Sequence, residues 1–228
     1  VLADMDSLQA ELSEYSRGVR GHVRIHANTS AIIEFLPEDL ALFAREHPEI
    51  KIDLQEHVST EAIHAVREGL TDIGIFANTP TVEGLQVFDY REDRLVLVVP
   101  NDHALAARER VSLIEALDYD FIGLQHDASL YGLVAKAARE SGTPLRMRIQ
   151  VRSFEGICRM IAHDMGVGVL PVKAVTHLSG LPLTAVELTD AWAQRMLHLG
   201  VRDYDALSVI AREMVDHLIR DTAHGPPT

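Results

Sequence analysis

Residues 48–76, PEIKIDLQEHVSTEAIHAVREGLTDIGIF, predict a strand, a helix and a second strand in that order. The first strand is Ile50–His57, in which apolar and polar residues alternate. Ser59-Thr60 is typical of a helix start, and the helix that it opens extends to Glu68. The segment Asp72–Phe76, apolar after its first residue, predicts a buried strand. Because a helix connects the two strands, we expect them to lie parallel in one sheet.

The same order of elements occurs in two copies along the chain. The remaining predicted elements are strand Val23–Ala27 and helix Ser30–Glu46 in the first copy, and strand Phe121–Leu124, helix Ser129–Ser141, strand Leu145–Val151, a helix from Ser153 to Asp164 and strand Gly166–Leu170 in the second. Each copy predicts an α/β, Rossmann-like lobe with a mixed, mostly parallel sheet. Ligands of open α/β sheets bind beyond the carboxyl ends of the strands. Two such lobes therefore predict a cleft that binds a small molecule.

Two further strands are expected to connect the lobes. Arg94–Pro100 is an apolar run closed by proline, and Gln194–Val201 predicts a second crossing strand. The helix Ala206–Arg220 then returns to the first lobe, because connections in such folds are short and unthreaded. The predicted domains are therefore 22–99 with 200–228 as one lobe, and 100–199 as the other.

The composition is that of an ordinary globular protein and excludes several classes of partner. The 228-residue chain is 47% hydrophobic and carries a formal net charge of −13, the wrong sign for neutralising nucleic-acid phosphates. No uncharged stretch approaches the ~20 residues that span a bilayer, so we expect no membrane partner. The single Cys158 favours a reducing, cytoplasmic environment. The start at Val1 lacks both Met and a signal-peptide pattern, which predicts a fragment or a processed chain.

A helix is also predicted before the first lobe, in residues 1–21. Its apolar residues recur at intervals of three and four, as in a heptad repeat: Met5, Leu8, Leu12, Tyr15 and Val19. This seam covers only about two heptads, fewer than a secure coiled-coil assignment requires. Two interpretations follow: an amphipathic helix packed on its own domain, or the end of a longer helix that dimerises.

Residues at the predicted helix starts and strand ends are the candidate ligand-binding residues. Backbone N–H groups are unpaired at a helix start and the helix dipole is positive there, so converging starts can hold an anion. The alternative is that each polar side chain only caps its own helix. Phe76 either walls the pocket or closes the core, and Arg152 pairs with either a ligand or a surface carboxylate. The candidates are Thr29, Ser30, Ser59, Thr60, Phe76, Ala77, Gln125, His126, Ser129, Arg152 and Ser153.

No pattern in the sequence predicts catalysis or metal binding. Although the chain has 12 histidines, His22 and His26 are too far apart along one strand to chelate a single ion. Cys158 lies in a helix with apolar neighbours and is expected to be a buried, inert thiol. The sequence has no His-Glu-x-x-His motif, nucleophile elbow, P-loop or dinucleotide fingerprint. We therefore expect no catalytic residue, no metal and no cofactor.

Short motifs in a characteristic order extend over most of the chain. They are Arg20–Ile25, Phe35-Leu36-Pro37, Phe43 with His47-Pro48, Val66–Gly69 with Asp72–Ile75, Leu97–Pro100 with His103–Leu105, and Ile161-Ala162 with Met165–Pro171. In this order and spacing the chain resembles the effector-binding domain of the LysR-type transcriptional regulators.

This resemblance implies two lobes of the type II periplasmic-binding-protein fold, joined by two crossover strands. It also implies that Leu2–Val19 is the end of a linker helix, behind a winged helix-turn-helix that would precede Val1. The family's effector contacts fall at the positions of Thr29, Ser30, Ser59, Phe76, Ala77, Gln125, His126 and Ser129. Some relatives have an arginine at the position of Ala77, and Arg152 is the candidate to replace it.

The function that this resemblance implies is sensing of a small organic effector, which we expect to be anionic. DNA would be contacted only through the missing N-terminal domain. The family forms homodimers or homotetramers, and it is cytoplasmic and not enzymatic. A periplasmic solute-binding protein of the same fold is an alternative, and a two-lobe enzyme such as a lyase is a second.

Overall fold

The computed structural model describes residues 21–77, 81–176, 178 and 180–220. The heptad predicted in residues 1–21 lies, apart from Gly21, outside the described residues. The chain forms two compact units, of which the first contains the described residues up to Arg91 and from Leu197 onward. The second unit is Glu92–Met196. The chain passes from the first unit to the second between Arg91 and Glu92, and it returns between Met196 and Leu197.

The first unit begins with strand β1, which is followed by helices and strands in alternation. Its elements are β1 (Gly21–Ala27), α1 (Thr29–Glu34), α2 (Leu36–Glu46), β2 (Ile50–Glu56), α3 (Ser59–Arg67), β3 (Ile73–Ala77) and the first part of β4 (Gln86–Pro100). The second unit contains the rest of β4, then β5 (Arg110–Val111), α4 (Leu113–Ala116), β6 (Phe121–Leu124), α5 (Ser129–Glu140), β7 (Met147–Val151), α6 (Phe154–Ala162), β8 (Gly168–Pro171), α7 (Val172–Thr176), β9 (Leu183–Leu188), a 3₁₀ turn (Ala191–Ala193) and the start of β10 (Gln194–Val201). Helix α8 (Val209–Ile219) follows β10 and lies in the first unit.

In the first unit, three parallel strands place their carboxyl ends at one edge of the sheet. Strand β1 pairs in parallel with β2 on one side and β3 on the other. Strand β10 pairs antiparallel with β3, with Leu199 opposite Ile75. In β1 the side chains of Val23 and Ile25 are fully buried, and the intervening polar residues are partly exposed, as the alternation of a strand requires. The sheet core is completed by α8, which contributes the buried Met214 and Leu218.

The long helix predicted over Ser30–Glu46 is two helices in the structure, and that prediction was wrong. Helix α1 ends at Glu34, and its C-cap Phe35 leaves the helical region with φ −127° and ψ −49°. Helix α2 then starts with Pro37 in its first turn. Proline has no N–H to donate to the carbonyl four residues earlier, and its ring clashes with that carbonyl. The break therefore lets Pro37 occupy a helix start, where no such bond is needed.

The second unit combines parallel and antiparallel pairs, as a mixed sheet fold should. Strands β6 and β7 are parallel, whereas β4 pairs antiparallel with both β8 and β9. Gly168, the first residue of β8, lies close to the β6 backbone. A Cβ at this position would be 2.7 Å from the Ile122 carbonyl oxygen, so only glycine fits there.

Cys158 of α6 is completely buried, and burial raises the pKa of its thiol to about 11. The inert thiol that the sequence predicted is what a pKa this high produces at neutral pH.

None of the helices in the described part of the chain is both long enough and apolar enough to cross a membrane.

Candidate functional site

The first group of candidate residues lies at the carboxyl edge of the first unit's sheet, where α1 and α3 begin. Asn28 caps α1, because its Oδ1 accepts a hydrogen bond of 2.9 Å from the Ala31 N–H. The hydroxyls of Thr29 and Ser30 are therefore not the cap of this helix, and Ser30 is buried. The Thr29 hydroxyl instead donates a 2.6 Å bond to Glu56 Oε1, which links the start of α1 to the end of β2.

Ser59 links the start of α3 to the end of β3. Its Oγ accepts a hydrogen bond of 3.2 Å from the backbone N–H of Ala77, and both residues are buried. The N-cap of this helix is Val58, whose side chain has no oxygen to accept an N–H. The following residue, Thr60, is exposed. Ser59 therefore fixes the geometry of this edge while its helix keeps unsatisfied N–H groups at the start.

Phe76 lies in the core of the first unit, one of the two alternatives that the sequence left open. Its side chain is fully buried. A Cβ on Gly200 of β10 would lie 2.7 Å from the Phe76 ring, so glycine is what leaves room for it. Ala77, the next residue, is also buried.

A stacked histidine pair borders this edge and was not predicted. The rings of His26 and His57 lie 4.2 Å apart between centroids, and His57 Nδ1 lies 3.1 Å from Glu61 Oε2. Burial lowers the pKa of His26, and the nearby His57 lowers it further. The sequence placed His26 and His57 at the ends of two predicted strands, but no local pattern sets the register that brings the two rings together. The parallel register pairs Ala27 with Glu56, directly beside the two histidines.

The second group of candidates lies where β6 and β7 end in the second unit. Gln125 follows β6 and Arg152 follows β7, and because these strands are parallel neighbours the two side chains meet. The Arg152 Nε donates a 2.8 Å hydrogen bond to Gln125 Oε1. This partner is a neutral amide, so the bond orients the guanidinium without compensating its charge. Arg152 is exposed and can still pair with an anion.

The two helix starts of the second unit differ in how they are capped. Ser153 is the N-cap of α6, with its Oγ accepting a 3.2 Å bond from the Gly156 N–H. Ser153 therefore caps its own helix, as one of the two interpretations of these residues predicted. Helix α5 begins at Ser129 and has Ala128 as its N-cap, with no side-chain capping bond. His126, in the preceding loop, is exposed.

Each unit thus presents two helix starts at one edge of its sheet, and helix starts favour negative charge. In the described residues, no three His, Cys, Asp or Glu side chains are grouped so that they could hold a metal ion. The chemistry that these residues support is hydrogen bonding and charge recognition.

Comparison with known proteins identifies the family. The model of the LysR substrate binding domain matches residues 16–223. The chain belongs to this family. The resemblance drawn from the sequence motifs is therefore confirmed.

Known LysR-type proteins agree in sequence and in fold. The chain is 25% identical over 198 residues to an uncharacterized HTH-type transcriptional regulator, YwbI of Bacillus subtilis, and the match covers 87% of this chain and 66% of that protein. The CcmR regulatory domain of Synechocystis PCC6803, solved in complex with 2-PG, superposes with a TM-score of 0.81 at 24% identity and covers 91% of this chain and 100% of that one. The effector-binding domain of QuiR, solved with shikimate, gives a TM-score of 0.77 at 16% identity, over 90% and 98% of the two chains. The predicted type II periplasmic-binding-protein-like fold is confirmed.

Proposed function

We propose that this LysR substrate-binding domain senses a small organic anion through the helix starts and strand ends described above. The observation that carries the proposal is Arg152, an exposed guanidinium held by the neutral Gln125 at the edge where two helices begin. An anion there gains the guanidinium charge and the unpaired N–H groups of α5. The proposed contacts are the residues predicted from the sequence. Of these, Ser153 also caps α6, and Phe76 is a buried core residue.

The effector is expected to shift an equilibrium between arrangements of the protein rather than to react. A ligand can do this only through a difference in its affinity for the two states. The relatives' names support a regulatory role, and we propose a protein that is not an enzyme and uses no metal or cofactor. In this proposal 22–99 with 200–228 and 100–199 are the two lobes, and residues 1–21 end a linker helix.

We further propose that the whole protein is a cytoplasmic homodimer or homotetramer that contacts DNA through a domain preceding Val1. YwbI, named as an HTH-type regulator, supports this, since the match covers 66% of its length. The coding sequence upstream of Val1 tests the proposal. A helix-turn-helix pattern there would support it, whereas a signal peptide would favour a periplasmic solute-binding protein.

A thermal-shift screen of small carboxylates tests ligand binding directly. A ligand at about 100 times its Kd stabilises the folded state by about 2.7 kcal/mol, which a melting curve detects. Arg152→Gln should at least halve the shift, whereas the control Arg139→Gln, which changes an exposed arginine in the last turn of α5, should leave it unchanged. Equal ligand-induced shifts in the two variants would mean that the carboxylate binds away from Arg152. Ser30 is a poorer test position, because it is buried and a larger side chain there would disturb the core.

A further inference from the structure

A cavity of about 310 Å³ lies within the first unit, at the edge of the sheet opposite the helix starts. Its lining includes His22 and Arg24 near the amino end of β1, and Asp72 just before β3. The loop after β10 forms another of its walls, because β10 is antiparallel to β3 and so ends where β3 begins. Small-molecule pockets typically measure about 300–1,000 Å³, so this cavity is large enough for a ligand.

Two charged residues of the lining, Arg24 and Asp72, are bound to each other. The Arg24 guanidinium donates a 2.8 Å bond from Nη2 to Asp72 Oδ1, and its Nε lies 3.3 Å from Oδ2. The backbone N–H of Arg24 donates a further 2.8 Å bond to Oδ2. These bonds pair the Asp72 charge with that of Arg24, so this pair contributes little net charge to the cavity.

Of the two arginines in the described lining, Arg202 is the one that is not bonded to Asp72, and we take it as the cation that meets a ligand. It is exposed, and its Nη1 would lie only 3.0 Å from a Cβ on Gly69, which has φ +72°. Gly69 and Leu70 end α3 in a Schellman motif, donating their N–H groups to the carbonyls of Val66 and Ala65. The motif requires glycine, and glycine in turn leaves space for the guanidinium. Because the motif satisfies these carbonyls, they do not need Arg202 as a partner.

The rest of the lining offers both donors and acceptors to a polar ligand. Ser208 caps α8 by accepting a 3.2 Å bond from the Ala211 N–H, so its own hydroxyl proton can be donated to a ligand. Asp203 also lines the cavity, and its Oδ1 accepts a 3.1 Å bond from the Asp205 N–H. Carboxylates of this kind accept hydrogen bonds from ligand hydroxyls.

The charge balance decides the class of ligand. The net charge of the chain is −13, so anions are not attracted to the protein in general. Asp203 beside Arg202 would repel a dianion such as phosphate, whereas it would accept hydrogen bonds from hydroxyl groups. We propose that this cavity is a second ligand site, for a small hydroxylated monocarboxylate of the sugar-acid type. The carboxylate binds Arg202 and Ser208, and the hydroxyls bind Asp203. The proposal does not depend on the function proposed for the other edge of the sheet.

The experiment is an NMR titration of the ¹⁵N-labelled chain with gluconate, which has both the carboxylate and the hydroxyls. Glucitol, which lacks the carboxylate, and hexanoate, which lacks the hydroxyls, are the comparison ligands. Gluconate should shift the amide signals of Gly69, Thr71 and Ser208 saturably, with an affinity at least tenfold higher than either comparison ligand.

Two variants decide whether the cavity is the site. Arg202→Gln should weaken gluconate binding at least tenfold, and Ala206→Phe should fill the cavity from an exposed position and prevent binding. Arg45→Gln, which removes an exposed arginine of α2 outside the lining, should bind as the unmodified chain does. Because Arg202 is exposed, its variant should fold even if the phenylalanine variant does not.

Several outcomes would overturn the proposal. They are glucitol or hexanoate binding as well as gluconate, Arg202→Gln binding as well as Arg45→Gln, or shifts confined to residues 28–31 and 57–61. Arg152→Gln separates the two proposals, because it should leave the gluconate shifts at Gly69 unchanged while weakening effector binding.

Discussion

The carboxyl edge of the first unit and that of the second differ in how far their polar groups are already engaged. In the first unit the hydroxyls of Thr29 and Ser59 are bound to Glu56 and to the Ala77 N–H. In the second unit, the bond that holds Arg152 among the described residues comes from the neutral amide of Gln125. The first edge is thus fixed by its own hydrogen bonds, and the second keeps a charge for a ligand. We infer that rigidity and charge recognition are divided between the two groups of candidate residues.

Removing the charge at the second edge should have the largest effect. A hydrogen bond to a charged group contributes about 1.5–3 kcal/mol, so Arg152→Gln should weaken binding of an effector carboxylate roughly 10- to 150-fold. Unfolding should change little, since Arg152 is exposed. Calorimetric titration and a urea melt of the same variant measure the two quantities. A large loss of stability with unchanged affinity would show that Arg152 is a structural residue.

Ser59→Ala should destabilise the first edge. The change removes the 3.2 Å hydrogen bond that the Ser59 hydroxyl accepts from the buried Ala77 N–H, and the loss of such a hydrogen bond costs about 0.5–1.5 kcal/mol. Thr60→Ala, one residue further along and exposed, is the matched control and should change the free energy of unfolding by about 0.5 kcal/mol or less. Equal urea midpoints for the two variants would contradict a structural role for Ser59.

The histidine pair should make the first edge less stable in acid. Burial and then His57 lower the pKa of His26, so the unfolded chain binds a proton at this residue more readily than the folded chain does. The contribution of His26 to the free energy of unfolding is therefore complete above the ordinary histidine pKa of about 6.5, and it is lost as the pH falls below that value. Urea melts between pH 5 and 8 should show this trend, and His26→Asn should reduce its slope. A slope unchanged in the variant would assign the trend to other groups, such as His103, whose pKa is also lowered by burial.

Thr29→Val should have the smallest effect. The bond from Thr29 to Glu56 is exposed, so its loss should cost no more than about 0.5 kcal/mol. A urea melt checks this value. A loss as large as that of Ser59→Ala would mean that the start of α1 depends on this bond as strongly as the start of α3 depends on Ser59.

Local patterns in the sequence located most elements correctly. The strands Phe121–Leu124 and Gln194–Val201 have the predicted bounds, because an apolar run with clear turn signals at its ends is a local property. Strand β9, Leu183–Leu188, was not predicted, although its residues alternate in the way that a strand requires. The helix starts at Ser59 and Ser129 were also predicted. The structure places each serine in the first turn, after the N-caps Val58 and Ala128, so the hydroxyl marks the start without capping it.

The sequence by itself determined the family, the α/β fold with its repeated strand–helix order, and the starts of α1, α3, α5 and α6 to within one residue. These follow from periodicity, turn residues and motif order, which are read along the chain. Only the tertiary structure decided which polar groups are already engaged: Asn28 as the cap of α1, Ser59 bound to Ala77, and Arg152 bound to Gln125. The last two join residues that are distant in sequence. Such pairs depend on strand register and on how neighbouring strands end together, and no local pattern encodes that arrangement.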